Sequence, residues 1–430
     1  MVQHGHAIRF DWGLPGARAL IDQVRACVVV DVLSFSTTLS VAADAGIVVR
    51  PAHLADGRDQ AGQDPLASEV VPAVSRDAAE GDPEALTLSP ASFRRAARWA
   101  RRALLPSPNG SAISAELAAA LSSGQTSTTA SSQVAGQVLA GCLRNRSAVA
   151  EHLAGIVRDG GAVAVIAAGE RWPDGALRPG VEDLLGAGAI LNTLAELVGA
   201  HHLSVEAAAA AAVARELGTA GLPEALEACA SGRELIGRGA AEDVRIAGET
   251  DTSSLVPQLL DGEYFPRCGR VLIRPAEAGD AAAVAQVFLS AWDHGLAGVR
   301  RAHDDDDVRG WVREILLPGG GTWVAVTSDE TADQGPHGVP GEVVGMLTTH
   351  DGWVEQLYVA PAVEGTGVGQ VLLGIARTRN PDGLQLWTFQ CNARARAFYE
   401  RHGFEAVEFT DGAANEEREP DVRYVLEAGG

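Results

Sequence analysis

The chain contains no lysine: all 34 of its basic residues are arginine. That excludes a lysine Schiff base and a Walker-type phosphate lysine. An anionic ligand must therefore be held by arginine, backbone N–H groups or a metal ion. Aromatic residues are scarce, 5% of 430 positions against 46% hydrophobic, so the core is built mainly from Ala, Val and Leu. Such a composition is globular rather than disordered. No apolar run reaches the roughly 18 residues that a membrane span needs. The start, "MVQHGHAIRFDWG", has no basic segment leading into an apolar one, so no export signal is expected and the cytoplasm is the expected compartment. The cysteines Cys27, Cys142, Cys229, Cys268 and Cys391 form no C-x-x-C pair, which argues against a disulfide framework or a structural zinc site. A net charge of −22 excludes general binding to nucleic acid or anionic membrane.

At 430 residues two or three domains are expected. The runs "ACVVVDVL" (26–33) and "AVAVIAA" (162–168) predict strands covered on both faces. The segments 181–198 and 203–217 carry helical spacing. Alternating strands and helices predict a layered α/β domain. The pattern restarts near Pro266 and Gly269, which places a boundary near residue 269 between a 1–268 domain and a 271–430 domain. Both parts are acidic, with 22 arginines against 31 acids up to residue 270 and 12 against 25 beyond it. Residues 326–344 read as a polar hairpin loop, and "HDDDD" (303–307) as a solvated loop or helix cap.

Ligands of open α/β sheets bind beyond the carboxyl ends of the strands. Asp31 and Glu170 fall at such ends, and Glu182 and Asp183 open a helix. If the sheet gathers them, the repulsion among their carboxylates calls for a hard cation such as Mg²⁺. Taken singly, Glu182 and Asp183 are equally explained by the helix dipole. Gly110 in "LPSPNGS" allows close backbone approach to a phosphate, and "SGQTSTTASSQ" (123–133) offers hydroxyl donors. Arg144, Arg178 and Arg233 are candidate anion contacts.

Five stretches, "VVVDVLSFSTTLSVA", "LPSPNGS", "CLRNRSAVAEHL", "VIAAGERWPDGALRPGVEDLLGAGAI" and "SGRELIGRGAAEDV", together resemble the 2-phosphosulfolactate phosphatase family over about residues 9–265. The resemblance implies a layered α/β/α, Mg²⁺-dependent phosphatase acting on a small anionic phosphoester, and an oligomer. It implies Asp31, Glu170, Glu182 and Asp183 as the acidic, metal-binding site, with Asp31 and Glu170 catalytic. Asn109, Gly110, Cys142, Arg144 and Asn145 are implied on the substrate side. Where many relatives have Arg-Ala after "DVL", this chain has Ser34 and Phe35. Attack by Asp31 and attack by water both remain open, and Cys142 reads either as a nucleophile or as a packing thiol.

In the second part, "GWVEQLYVAPAVEGTGVGQVLLGIARTR" (352–379) reads strand, turn, glycine-rich loop, helix. Gly365, Gly367 and Gly369 let backbone N–H groups converge on an anion. Rossmann spacing is not met. With "LQLWTFQCNARARAFYERHGFEAV" (384–407) behind it and "VLIRPAEAGDAAAVAQVF" in front, this resembles the GNAT acetyltransferases over about residues 271–427, an α+β fold. The likeness implies acetyl-CoA with its pyrophosphate on Gly365, Thr366, Gly367, Val368 and Gly369. It implies Asn392 on the pantetheine arm and Tyr399 as the proton donor to the departing thiolate. Glu355 reads either as a general base or as an exposed strand acid. Glu364 stands where relatives carry Gln or Arg, and a carboxylate there is unfavourable to a pyrophosphate unless it points away. The acidic surface suits a cationic amine acceptor. The expected whole is a phosphatase fused to an acetyltransferase. The alternatives are an N-terminal domain that only binds a metabolite and a C-terminal domain that only senses acyl-CoA.

Overall fold

In the run Ala26–Val30, Val28 and Val30 enter one hydrophobic core while Cys27 and Val29 enter another. Val163–Ala167 divides the same way, with Val163, Val165 and Ala167 on one side and Ala164 and Ile166 on the other. A strand packed on both faces cannot alternate apolar with polar, which is why both runs are continuously hydrophobic. The structure, a computed structural model, describes residues 3–52, 70–76, 78–79, 82, 84–122, 136–327 and 341–428. The hydroxyl-rich stretch 123–133 and residues 328–340 of the expected hairpin loop lie outside the described residues. The chain divides into two units, Met1–Gly269 and Arg270–Gly430.

The strands of the first unit are β1 (Ile8–Trp12), β2 (Ala26–Val30), β3 (Val48–Ala52), β4 (Val70–Pro72), β5 (Arg102–Pro106), β6 (Gln137–Ala140), β7 (Val163–Ala167), β8 (Glu170–Arg171), β9 (Leu177–Arg178), β10 (Val256–Leu260) and β11 (Glu263–Cys268). Their sheet runs β1-β7-β2-β6-β10-β11, continues through β3 to β5 and ends on β4. The β1, β7, β2 and β6 strands are mutually parallel, as are β3, β5 and β4, and the hairpin β10–β11 lies between the two groups. Helices Arg146–Arg158, Val181–Val198 and Val205–Ala228 cover one face. Helices Phe35–Asp44, Pro90–Ala96 and Gly110–Ser122 cover the other. The result is the expected α/β/α layering. One expectation shifts: β2 ends at Val30, so Asp31 is the first residue beyond the strand, not part of it.

The second unit carries β12 (Val271–Pro275), β13 (Thr322–Thr327), β14 (Val343–His350), β15 (Trp353–Val359), β16 (Gly383–Phe389), β17 (Glu405–Phe409) and β18 (Asp421–Glu427), in the order β12-β13-β14-β15-β16-β18-β17. All neighbours are antiparallel except β15 and β16, which run parallel and pair only at Trp353 and Gln385. Two strands joined at one register position part beyond it, and a cleft opens there. The acid run 303–307 is a helix cap: Asp304 accepts hydrogen bonds from the Asp306 and Asp307 amides at 2.9 and 3.0 Å. Among the described residues, no helix is long and apolar enough to cross a membrane.

Candidate functional site

In the first unit the loops after β2, β5 and β7 are stitched together by their own polar groups. Asp31, 7% exposed, accepts from the Phe35 amide at 3.2 Å through Oδ1 and from the Gly110 amide at 3.1 Å through Oδ2. Asn109 donates through Nδ2 to Glu170 Oε2 at 3.0 Å. Asp183, in the first turn of Val181–Val198, accepts from the Val32 amide at 2.7 Å through Oδ1 and from the Gly169 amide at 2.8 Å through Oδ2. One carboxylate thus holds the ends of β2 and β7 together. Glu182 Oε1 accepts from the Ser231 hydroxyl at 2.7 Å, and Ser231 in turn accepts from Arg178 at 3.3 Å.

The acids lie close enough to shift one another's ionisation. Burial, followed by repulsion from Glu170, lifts Asp31 from its ordinary 3.8 to about 7. Burial and then the Asp31 and Glu182 charges hold Asp183 well above the usual carboxylate range. Glu170 is raised by burial and by Glu182, while Asn109 and Arg178 oppose the shift. Among the described residues, no group of three or more His, Cys, Asp or Glu side chains is placed to hold a metal ion together. The four acids therefore do not form a ready-made ligand shell. Asp183 has both oxygens committed to backbone amides, so its geometry is that of a clamp.

Other expected residues have different neighbours. The Arg144 guanidinium is buried and paired with Asp44 at 2.6 Å and with Glu249, which also binds Arg94 at 2.7 Å. Its charge is spent inside the protein; removing one partner of such a buried pair costs about 3–5 kcal/mol. Asn145 accepts from the Cys142 amide at 2.9 Å and donates to the carbonyls of Ala140 and Leu255 at 3.3 and 3.1 Å. Cys142 is fully buried, which raises its thiol pKa and disfavours the thiolate that a nucleophile needs. Arg233 is exposed on its helix. Sequence reading passed over two residues. Ser231 links Arg178 to Glu182, and Ser107, 1% exposed, has a hydroxyl without a partner among the described residues.

Gly110 opens its helix because nothing larger fits. A Cβ there would lie 2.2 Å from the Phe35 ring and 2.9 Å from Asp31 Oδ2. Gly110→Ala is expected to destabilise the unit by about 1–3 kcal/mol through overpacking. A lowered urea midpoint checks this, and an unchanged midpoint would show that Phe35 can withdraw.

In the second unit, Gly365 (φ +76°) and Gly367 (φ +95°) adopt left-handed backbone immediately before the helix Val368–Arg379, whose N-terminus has no side-chain cap. An uncapped helix start behind two left-handed glycines is a geometry that an anion can occupy. Glu364, next to Gly365, is paired with Arg394 and lies 3.4 Å from His294. The cleft between β15 and β16 leads to a cavity of about 910 Å³ that includes Glu355, Asn392 and Tyr399 in its lining. Asn392 caps the helix Ala393–Arg401, accepting from the Ala395 amide at 3.0 Å. Tyr399 is 7% exposed, packed against Phe398, Phe404 and Tyr424, and burial pushes its phenol pKa up. Glu355 is exposed on β15.

Residues 114–262 match the family model for 2-phosphosulpholactate phosphatase, a segment that holds Glu170, Glu182, Asp183 and Ser231 but not Asp31 or Gly110. Residues 318–406 match the model for the acetyltransferase (GNAT) domain, which takes in Glu355, Gly365–Gly369, Asn392 and Tyr399. No curated protein sequence matches the chain. Among solved structures, apo YjaB from Escherichia coli is 21% identical, covering 37% of this chain and 98% of its own at a TM-score of 0.30. A GCN5-related N-acetyltransferase from Rhodopseudomonas palustris is 21% identical, covering 36% and 94% at 0.28. The PaiA N-acetyltransferase of Thermoplasma acidophilum, solved with coenzyme A, is 18% identical, covering 36% and 98% at 0.27. The chain thus carries a segment that matches the 2-phosphosulpholactate phosphatase model and, after it, one that matches the GNAT acetyltransferase model, and both matches indicate an enzyme.

Proposed function

We propose that the first domain is a Mg²⁺-dependent phosphatase of a small anionic phosphoester, with 2-phosphosulfolactate the substrate that its family match points to, and that the second transfers acetyl from acetyl-CoA to an amine. The observation that carries the first reading is the meeting of Asp31, Asn109 and Glu170, from three separate connections, with Glu182 at the start of the helix Val181–Val198, where the three acids repel one another. The donor set suits a hard cation: Asp31, Glu170 and Glu182 offer carboxylate oxygens with lone pairs beyond the bonds already made. Mg²⁺ is usually held by one or two carboxylates together with water and substrate phosphate, so a complete protein shell is not required. Asp31 and Glu170 are the residues we assign to it, with Glu182 beside them. When bound, Mg²⁺ supplies charge stabilisation to the phosphoryl oxygens.

The chain's own residues do the remainder. Arg178, beside Glu170, orients the anionic substrate, and Ser231 fixes both Arg178 and Glu182. Asp183 keeps the β2 and β7 loops in register with one another. Phosphate release from 2-phosphosulfolactate is expected to stop in EDTA and to return with Mg²⁺. A rate indifferent to chelation would remove the metal from the reading. Tight binding without release would make the domain a metabolite-binding module instead.

In the second domain, the uncapped helix start at Val368 and the cavity at Tyr399 support acetyl-CoA binding and proton donation to the leaving sulfur. The Arg394 guanidinium paired with Glu364 relieves the repulsion that its position would otherwise impose on a pyrophosphate.

A further inference from the structure

The cavity of the second domain has two kinds of wall. One is aromatic: the Phe288 ring lies 4.8 Å from Tyr358 and 5.9 Å from Trp311, and Trp292 lies 5.7 Å from Phe389. The other is acidic, with seven carboxylates in the lining against one guanidinium, Arg301, and one imidazole, His303. Arg301 binds Asp305 through Nη2 at 2.6 Å, and the His303 imidazole lies 3.0 Å from Glu416. Glu355 and Glu417 have no ion-pair partner among the described residues. Tyr399, more than nine-tenths buried, has a hydroxyl with no hydrogen-bond partner among them either.

We propose that this cavity takes a linear diamine or polyamine as acetyl acceptor, a conclusion that rests on the acetyltransferase reading above. One amine lies beside Tyr399, the methylene chain lies along the aromatic wall, and a second ammonium is held by Glu417 and its acidic neighbours. An amine acceptor bearing a carboxylate would meet uncompensated repulsion from this lining. Asp306 and Glu314 are already paired with Arg309 and Arg313, so a monoamine beside Tyr399 would leave Glu417 as the acid without a counter-charge. Aliphatic ammonium groups are also stabilised over aromatic faces, and a volume of about 910 Å³ is of small-molecule size.

In the transfer, the amine gives up its surplus proton to water, and its nitrogen lone pair attacks the thioester carbonyl carbon. The new C–N bond forms as the C–S bond breaks, and the thiolate takes the Tyr399 proton. The second amine proton leaves through Glu355, and the phenolate is reprotonated from solvent. The products are an N-acetylated amine that keeps its remote ammonium, free thiol and one proton.

The test uses the full chain and follows thiol release from acetyl-CoA with putrescine, spermidine, butylamine and glutamate. The diamine and polyamine are expected to exceed butylamine about tenfold or more in kcat/KM, the equivalent of about 1.4 kcal/mol, and glutamate is expected to be inert. Glu417→Gln is expected to raise KM for putrescine about tenfold and to affect butylamine, which has no second ammonium, much less. Acetylation of butylamine as fast as of putrescine, or a Glu417→Gln effect equal on both, would overturn the acceptor assignment while the acetyltransferase reading stands. Thiol release with none of the amines, in a protein that binds acetyl-CoA by calorimetry, would overturn both.

Discussion

Asp31→Asn is expected to abolish phosphate release and yet to make the protein harder to unfold above neutral pH. Activity should fall by about 10³-fold, as when a group acting at the reacting centre is lost. The stability effect follows from the direction of the Asp31 shift. Its pKa rises on folding from 3.8 to about 7, so between those values the folded state binds a proton that the unfolded state has released. The stability this group contributes is full below about pH 4, falls as pH rises and is gone above about pH 7. The loss amounts to a few kcal/mol in order of magnitude. A neutral amide avoids it. The amide accepts through one oxygen, so one of the bonds from Phe35 and Gly110 is lost, at about 1 kcal/mol. Urea unfolding in EDTA should therefore show the variant more stable than the parent at pH 8, with the advantage shrinking towards pH 5. A variant that is less stable at both pH values would mean that the carboxylate is not buried as an unneutralised charge. Loss of function combined with a gain in stability is the pattern expected where an active site holds destabilising charge for its chemistry.

Tyr399→Phe is expected to lower kcat for acetyl transfer by about 10²–10⁴-fold, the range for removing a positioned acid. The ring contacts with Phe398, Phe404 and Tyr424 do not involve the hydroxyl, so the fold and acetyl-CoA binding should be kept. Burial raises the phenol pKa, so the group holds its proton at neutral pH and is available as a donor. Single-turnover transfer measured beside calorimetric binding separates the two outcomes. Equal transfer rates in the variant and the parent would reduce Tyr399 to a packing residue.

The layering of the first domain was legible because a strand buried on both faces must read as Val28, Val29, Val30 in unbroken succession. The helix Val181–Val198 was legible from its own leucine spacing. What each polar residue touches was not. Arg144 has the composition of an anion contact, but its partners, Asp44 and Glu249, are about a hundred residues away on either side, and no local pattern announces them. Ser231 carries no signal of its own; it matters because the fold places it between Arg178 and Glu182. Glu364 looked hostile to a pyrophosphate until the helix beginning at Ala393 supplied Arg394. The acids were expected to share a crevice; they lie close enough to repel one another, but Asp183 is turned to the backbone in a way that its residue type alone does not reveal.

That turn of Asp183 limits how the domain can change. Because a single side chain fastens both the Val32 and the Gly169 amides, neither loop can be reshaped without carrying the other and the helix beneath it. Variation in substrate range has freer play at the β5 loop and the β8–β9 hairpin, where Asn109 and Arg178 can be exchanged without undoing the latch.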